Sequence, residues 1–132
     1  TSSLEQELYA ATVNFYEAVT RAYEEMDPSL IEAVVLPNSG AGGGYIEEIR
    51  ELKRKGHRLV PPPKFTVSEF AWLQDASNAT EVVTFRLDAP AGKEVDREGR
   101  TVEEYPAGGA EGRITFVREG DRWLVASQRF GS

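Results

Sequence analysis

A cluster of carboxylates in the second half of the chain is the first group of residues able to do chemistry. Its members are Glu94, Asp96, Glu98, Glu103, Glu104 and Glu111. A carboxylate whose pKa is raised by burial can act as a general base in an apolar pocket. Because side chains alternate along a strand, only one of Glu103 and Glu104 can face inward. A solvated acidic rim is the alternative interpretation of the cluster.

A basic segment stands out against the acidic background. Residues 50–64 contain six basic side chains and one acid, Glu51, which gives this segment a net charge of +5. Lys53, Arg54 and Lys55 lie in the last turn of a predicted helix, where cations complement the negative end of the helix dipole. The same three residues are candidates for docking an acidic partner, lipid headgroups near a membrane anchor, or the acidic first helix of a second copy.

Two aromatic residues with polar tips are candidates for binding. Trp72 and Tyr105 are suited to the mouth of a pocket, because one end of each side chain is apolar and the other forms hydrogen bonds. Their alternative role, shared with Phe70 and Trp123, is to fill the core.

Several chemistries find no support in the sequence. His57 is the only histidine, and its place just after a helix end among cations predicts an exposed loop residue. With no cysteine and no histidine pair, we assign no metal site, catalytic residue or cofactor. The glycine run 40–44 is not followed by Lys-Ser or Lys-Thr, and Gly-x-Ser-x-Gly is missing, which disfavours a phosphate-binding loop and a nucleophile elbow.

Length and charge narrow the function classes further. The 132 residues are predicted to form one domain, and 15 basic against 22 acidic residues give a net charge of −7. This charge disfavours nucleic-acid binding, which depends on cationic side chains. No apolar run approaches the roughly 18 residues of a membrane helix. Because the chain starts at Thr1 and not at methionine, we expect that an N-terminal membrane anchor is missing, which favours an extracytoplasmic location over the cytoplasm.

The first half of the chain has helical periodicity, and we expect helices over about 3–56. One apolar face follows steps of three and four residues through Leu4, Leu8, Ala11, Phe15, Ala18, Ala22 and Met26. Ser2 or Ser3 is predicted to cap this helix, with Glu5 or Gln6 completing a capping box. A short helix is predicted over 28–36, a mobile glycine-rich loop over 37–44 and a third helix over 45–55, ending at Gly56.

The second half changes to strand periodicity after the three prolines at 61–63. Five strands are predicted within about 65–130, at 65–73, 79–87, 100–105, 112–118 and 123–130. Because no long helix separates them, neighbouring strands should pair antiparallel. We therefore predict an α+β fold, with three N-terminal helices packed against a curved antiparallel sheet of about five strands.

This pattern resembles the nuclear-transport-factor-2-like superfamily. The resemblance lies in the helix 4–26, the segment 45–56 and the paired strands 113–118 and 122–126. It is nearest in pattern to the soluble domains of membrane-anchored envelope proteins and plastid-division scaffolds. The resemblance implies a cone whose sheet wraps the long helix. Some superfamily members use the mouth of this cone for small-molecule chemistry and others only for partner binding.

The sequence leaves three functions open. The first is a non-enzymatic binding or protein-interaction domain, the extracytoplasmic part of a membrane-anchored protein, whose partner is an unknown protein or a small apolar ligand. The second is an enzyme of the isomerase, cyclase or dehydratase kind, with Glu103 or Glu104 as base. The third is a homodimer module that pairs through the outer face of the sheet. A pocket filled by the protein's own side chains would favour binding over catalysis.

Overall fold

The helices precede the strands, as the sequence predicts. The computed structural model describes residues 3–77 and 80–131. The helices in these ranges are α1 (Leu4–Glu25), α2 (Ser29–Glu32) and α3 (Gly43–Lys55). The strands are β1 (Arg58–Val60), β2 (Thr66–Ser77), β3 (Thr80–Ala89), β4 (Gly92–Val95), β5 (Thr101–Tyr105), β6 (Gly108–Glu119) and β7 (Arg122–Phe130). Within the described ranges, no helix is both long and apolar enough to cross a bilayer.

The capping box predicted at the start of α1 is present. Ser3 Oγ accepts a hydrogen bond from the backbone N–H of Gln6 at 3.1 Å, and Gln6 Oε1 accepts one from the backbone N–H of Ser3 at 3.0 Å. Two backbone donors at the helix start are thereby satisfied. Ser2, the other predicted cap, lies outside the described residues.

The buried face of α1 is wider than the predicted apolar stripe. Leu8, Phe15 and Ala22 are buried as the spacing indicates. The complete buried set is Leu8, Thr12, Phe15, Tyr16, Val19, Ala22 and Tyr23. The predicted apolar stripe did not include the two tyrosines, because each carries a polar hydroxyl. Their side chains are nevertheless buried, since a phenol whose hydroxyl is hydrogen-bonded packs like any other aromatic ring.

The second helix is much shorter than predicted. It ends at Glu32, and the chain then runs beside β7 as a parallel bridge between Val35 and Val125. The carbonyl of Val125 accepts from the amide of Leu36 at 2.8 Å, and the amide of Val125 donates to the carbonyl of Val34 at 3.0 Å. The β-branched valines favour this extended pairing over another helical turn.

The glycine-rich segment is more ordered than the sequence indicates. Gly43 and Gly44 form the start of α3, and Ala41 and Gly42 are buried. The prediction that 37–44 holds no regular element is therefore wrong at its last two residues. Packing of the apolar face of α3 against the core overrides the low helix propensity of glycine. The helix ends at Gly56, as predicted, in a left-handed conformation with φ of 76°.

The strands form two antiparallel sheets, where the sequence predicts a single one. The larger sheet has the order β2-β3-β6-β7 and the smaller has the order β1-β4-β5. The five predicted strands correspond to β2, β3, β5, β6 and β7, although the predicted first residue of β3, Ala79, lies outside the described residues. Strands β1 and β4 were missed because three and four residues are too few to establish an alternating pattern.

The larger sheet packs its inner face against α1. Val83 and Phe85 of β3 and Ile114 and Phe116 of β6 are at most 3% exposed. Each large apolar side chain buried in this way contributes about 1.5–3 kcal/mol. The sheet therefore wraps the long helix, which confirms the prediction from the sequence.

The ordered glycine run generates a stability prediction. Gly42 has a left-handed φ of 72°, and a Cβ placed there would lie 2.8 Å from Cγ2 of Ile31. We expect Gly42→Ala to lower the free energy of unfolding by about 1–3 kcal/mol in urea titrations. Gly44→Ala is the matched control, since its Cβ would meet nothing within 4 Å. That helical substitution should raise stability by about 0.5–1 kcal/mol. Equal effects of the two substitutions would contradict this account.

Candidate functional site

Four tyrosines form what we call the phenol cluster, near the C-terminal end of α1. Tyr16 and Tyr23 come from α1, Tyr45 from α3 and Tyr105 from the end of β5. The rings of Tyr23 and Tyr45 meet edge to face with centroids 6.4 Å apart, and Tyr105 lies close enough to Tyr23 to influence its pKa. The sequence carried a signal for part of this cluster: Tyr9, Tyr16 and Tyr23 recur every seven residues, which places them on one side of a helix.

Hydrogen bonds organise the phenol cluster. Gln128 of β7 donates from Nε2 to the hydroxyl oxygens of Tyr16 at 3.0 Å and Tyr45 at 3.3 Å. The hydroxyl of Tyr23 donates to a carboxylate oxygen of Glu48. Burial raises the pKa of Tyr16, Tyr23 and Tyr45 well above the ordinary phenol value. These hydroxyls are therefore neutral hydrogen-bonding groups across the physiological pH range.

A groove of about 590 Å³ opens beside the phenol cluster. We call it the α3/β7 groove, because one wall is the glycine run with the start of α3 and the other is the end of β7. Its lining consists of Gly40, Gly42, Gly43, Gly44, Tyr45, Glu48, Gln128, Arg129 and Phe130. The groove thus offers a phenol, an amide, a carboxylate and an aromatic ring beside exposed backbone.

A second polar group joins the strands of the smaller sheet. Glu94 of β4 is 7% exposed, and its Oε2 accepts a hydrogen bond from Nδ1 of His57 at 2.6 Å. Its Oε1 accepts from the hydroxyl of Tyr105 at 3.2 Å. The bond from His57, followed by that from Tyr105, lowers the pKa of the Glu94 carboxyl against the opposing effect of burial. Burial and the nearby charges of Glu103 and Glu94 raise the pKa of Tyr105 to about 12.

This arrangement corrects two expectations. His57 was predicted to be an exposed loop residue, but its side chain is only 18% exposed because it packs against Glu94. Glu103 and Glu104 were the candidate bases, and both are exposed. Burial selects Glu94 instead, a member of the carboxylate cluster that the sequence left open between a general base and a solvated rim. Glu94 escaped notice because it lies in the short strand β4, which has too few residues for its alternation to be recognised.

The other predicted binding residues lie apart from one another. Trp72 donates from Nε1 to Glu81 at 2.8 Å and follows Phe70, whose ring packs edge-on against Tyr9 with centroids 5.2 Å apart. Tyr105 lies at the other end of α1, near Tyr23. Because Tyr9 and Tyr23 are separated by about 21 Å along the helix axis, the structure does not bring Trp72 and Tyr105 into one pocket.

The basic turn at the end of α3 is exposed and partly paired within its own helix. Arg54 Nε donates to Glu51 at 3.1 Å, and Lys55 Nζ lies 3.9 Å from the same carboxylate. The bond from Arg54 lowers the pKa of Glu51. Lys53 has no ion-pair partner within 4.0 Å among the described residues. Arg54 and Lys55 lie in the last turn of α3 and contact Glu51 of the same helix, which is compatible with a structural role at the end of the helix.

The described residues offer no metal cage. In the ranges 3–77 and 80–131, no group of three or more His, Asp or Glu side chains is placed to hold a metal ion. Glu94 and His57 bond to each other, and the carboxylates near them, such as Glu103, face solvent.

Comparison with known proteins identifies the fold. No family model matches the sequence, and no curated protein matches it. Among solved structures, the intermembrane space region of the chloroplast protein ARC6 superposes with a TM-score of 0.71 at 8% identity, covering 98% of both chains. An NTF2-like protein of unknown function from Shewanella oneidensis MR-1 superposes with a TM-score of 0.53 at 14% identity, covering 95% of this chain and 99% of its own. The chain has the NTF2-like fold.

Other NTF2-like structures show how little the fold says about activity. A candidate dehydratase of the NTF2-like family from Streptomyces avermitilis matches with a TM-score of 0.57 at 15% identity, covering 95% of this chain and 93% of its own. The resemblance stated from the sequence is confirmed at the level of the fold. Because one NTF2-like fold carries unrelated functions, the function has to be argued from the residues of this chain.

The Glu94 group generates the second prediction. We expect Glu94→Gln to lower the free energy of unfolding by about 1.5–3 kcal/mol near neutral pH, because the bonds from His57 and Tyr105 lose their ionised acceptor. Glu103→Gln is the matched control, since Glu103 lies directly opposite Glu94 in the sheet register. Its effect should stay within about 0.5 kcal/mol. Urea titrations of both variants measure the difference.

The same variants predict a pH dependence. The folded pKa of Glu94 is below its ordinary value of 4.5, so its contribution is present above that value. It is lost as the pH falls through the lowered folded pKa, because the carboxylate must then take up a proton. The unfolding free energies of the wild type and of Glu94→Gln should therefore converge below pH 4.5. A difference that persists or grows in acid would show that the bond does not depend on the ionised carboxylate.

Proposed function

We propose that the chain is a non-enzymatic binding domain and that the α3/β7 groove is its recognition site. The volume of the groove, about 590 Å³, falls within the range of small-molecule sites. Its polar groups are few and separate, while Phe130 and the exposed glycine backbone supply flat contact surface. This combination suits a small, mainly apolar ligand that forms one or two hydrogen bonds.

The observation that carries the proposal is the engagement of Glu94. Both of its carboxylate oxygens accept hydrogen bonds from the protein, and its pKa is lowered. A general base in an apolar pocket needs a free oxygen directed at the substrate and a pKa nearer the working pH. Glu94 therefore acts as a structural carboxylate that joins β4 to His57 and to Tyr105 of β5.

The packing inside the sheet supports the same conclusion. The ring of Tyr16 lies 4.9 Å from that of Phe15, 5.4 Å from that of Phe65 and 5.7 Å from that of Phe85, as centroid distances. Aromatic rings at these distances fill the space between α1 and the larger sheet. A ligand then binds at the edge of this aromatic packing, where the α3/β7 groove lies.

A neutral apolar dye tests the proposed groove. We expect Nile red to bind the wild type saturably, with a rise in fluorescence, and Gly44→Trp to weaken binding roughly tenfold or more by filling the groove. Gly44 tolerates the change because its Cβ would meet nothing within 4 Å. Gly108→Trp is the matched control, since Gly108 is equally open and lies outside the α3/β7 groove. Unsaturable binding, or equal affinity in Gly44→Trp, would refute the site.

One observation favours the enzymatic alternative. Glu48 lies on the rim of the α3/β7 groove, beside the hydroxyl of Tyr45, and accepts from Tyr23. If the chain were an isomerase, cyclase or dehydratase, Glu48 would be a better-placed base than Glu103 or Glu104. The phenol of Tyr45, which accepts from Gln128 and keeps its own proton to donate, would then support the developing oxyanion.

Proton exchange distinguishes the two functions. The binding proposal gives Glu48 no role as a catalytic base. We therefore expect the α-protons of cyclohexanone in D₂O to exchange at the same rate with and without the protein, as measured by NMR. Acceleration by the wild type that is lost in Glu48→Gln but kept in Glu47→Gln would establish the enzyme instead. Glu47 is a suitable control because it is exposed on α3 and outside the groove.

The partners and the compartment follow from the charge of α3 and from the comparison with known structures. Lys53, Arg54 and Lys55 form a cationic surface for an acidic partner or for lipid headgroups, and Lys53 is the member without an ion pair among the described residues. The likeness to an intermembrane space region supports an extracytoplasmic location.

A further inference from the structure

A second groove lies on the larger sheet near the end of β7, and we call it the outer groove. Its volume is about 510 Å³. Three arginines line it, Arg86 of β3, Arg113 of β6 and Arg129 of β7, together with two acids, Glu69 and Glu111. Cations therefore outnumber anions in this groove, although the whole chain carries a net charge of −7.

Arg113 and Arg129 are directly opposite each other in the register of β6 and β7. Side chains in such positions begin about 5 Å apart, and like charges there destabilise the strand pair. Among the described residues, neither guanidinium has a carboxylate within the 4.0 Å that defines an ion pair. Arg118, further along β6, does pair with Glu7. Two facing cations of the described chain thus have no directly paired carboxylate, although Glu69 and Glu111 line the same groove.

The floor of the outer groove is strand backbone at Gly112. The Cβ position of Gly112 points to the inner face of the sheet, where it would lie 2.6 Å from the ring of Phe85 and 3.2 Å from that of Phe130. Because side chains alternate along a strand, Arg113 and its partner Arg129 point to the outer face, into the groove.

The third arginine is held in place by the protein. Arg86 Nε donates to both carboxylate oxygens of Asp88, at 3.2 and 3.1 Å. Its guanidinium lies where a Cβ at Gly109 would be only 2.6 Å away. Arg86 is thus neutralised and oriented, so the cations of the groove that remain available to a ligand are Arg113 and Arg129.

We propose that the outer groove binds a compact oxyanion, a carboxylate or a phosphate. The oxyanion accepts hydrogen bonds from Arg113 and Arg129, whose planar guanidinium groups match the geometry of both anions. Glu69 and Glu111 on the rim repel extended polyanions, which restricts the ligand to one or two charges.

This site is separate from the α3/β7 groove of the proposed function. Arg129 and Phe130 line both grooves because the end of β7 lies between them, whereas Arg113 lines only the outer groove. Arg113 is therefore the residue that tests the inference alone. Nile red carries no charge, so its binding and the effect of Gly44→Trp do not depend on Arg113.

Titration calorimetry with phenyl phosphate at low ionic strength tests the inference. We expect saturable binding by the wild type, weakened roughly tenfold to a hundredfold in Arg113→Gln, the loss typical of one charge-assisted hydrogen bond. Arg113→Lys should bind with intermediate affinity, since it keeps the charge without the planar fork. Arg21→Gln is the control for net charge, because Arg21 is exposed on α1 and, in the part of the chain that the structure describes, pairs only with Glu25. This variant should bind like the wild type.

Two further ligands define the chemistry. Benzoate in place of phenyl phosphate shows which oxyanion is preferred, and inorganic phosphate should bind within a few-fold of phenyl phosphate because the two arginines contact only the oxyanion. Circular dichroism of Arg113→Gln should match that of the wild type, since Arg113 is exposed. The inference is overturned if the wild type binds neither phenyl phosphate nor benzoate saturably, or if Arg113→Gln and Arg21→Gln bind with equal affinity.

Discussion

Tyr16 is the residue on which the arrangement of helix and sheet depends most. Its ring is buried among aromatic residues of α1, β3 and the segment before β2, while its hydroxyl must find a hydrogen-bond partner in that apolar setting. Gln128 supplies the partner from β7, the last strand of the chain. Since an unpaired buried hydroxyl is costly, this bond fixes where the end of β7 lies relative to α1. The wall that divides the two grooves is positioned by the same requirement.

Much of the fold follows from periodicity, and the failures have identifiable physical causes. The 22 residues of α1 give enough turns for the three-four spacing to be unmistakable, and the capping box follows from Ser3 and Gln6. Strands β3 and β6 are long enough for their alternation to show. Strand β4 has only four residues, so nothing in its pattern distinguished the buried Glu94 from the other carboxylates of the cluster. The early start of α3 was missed because the energy that stabilises it comes from tertiary contacts, which glycine itself does not indicate.

The candidate site was harder to predict than the fold, for a different reason. A pairing such as that of His57 with Glu94 joins residues 37 positions apart, and nothing in the local pattern of either residue indicates it. Likewise, the facing arginines become visible only once the register of β6 and β7 is known. Composition found the basic turn of α3 because its three cations are consecutive, yet two of them pair with Glu51. Cations on one helical turn are thus partly neutralised by a carboxylate of the same helix. Arg113 and Arg129, by contrast, have no ion-pair partner among the described residues.

The fold depends on residue classes, whereas the site depends on individual residues. The superposition on the ARC6 region, with a TM-score of 0.71 at only 8% sequence identity, is consistent with this difference. Wrapping α1 in a sheet requires apolar side chains at alternating positions and a few satisfied polar groups, and many residue combinations meet that requirement. Val83 and Ile114, which face the core, could be exchanged for other apolar residues of similar size. Arg113 and Arg129 face away from α1, so packing places no demand on their identity. Among the described residues, no carboxylate lies within ion-pair distance of either guanidinium, and their mutual repulsion opposes the strand pairing that holds them. A ligand anion between them would turn that unfavourable term into a favourable one, and this is the physical reason for assigning a function to them.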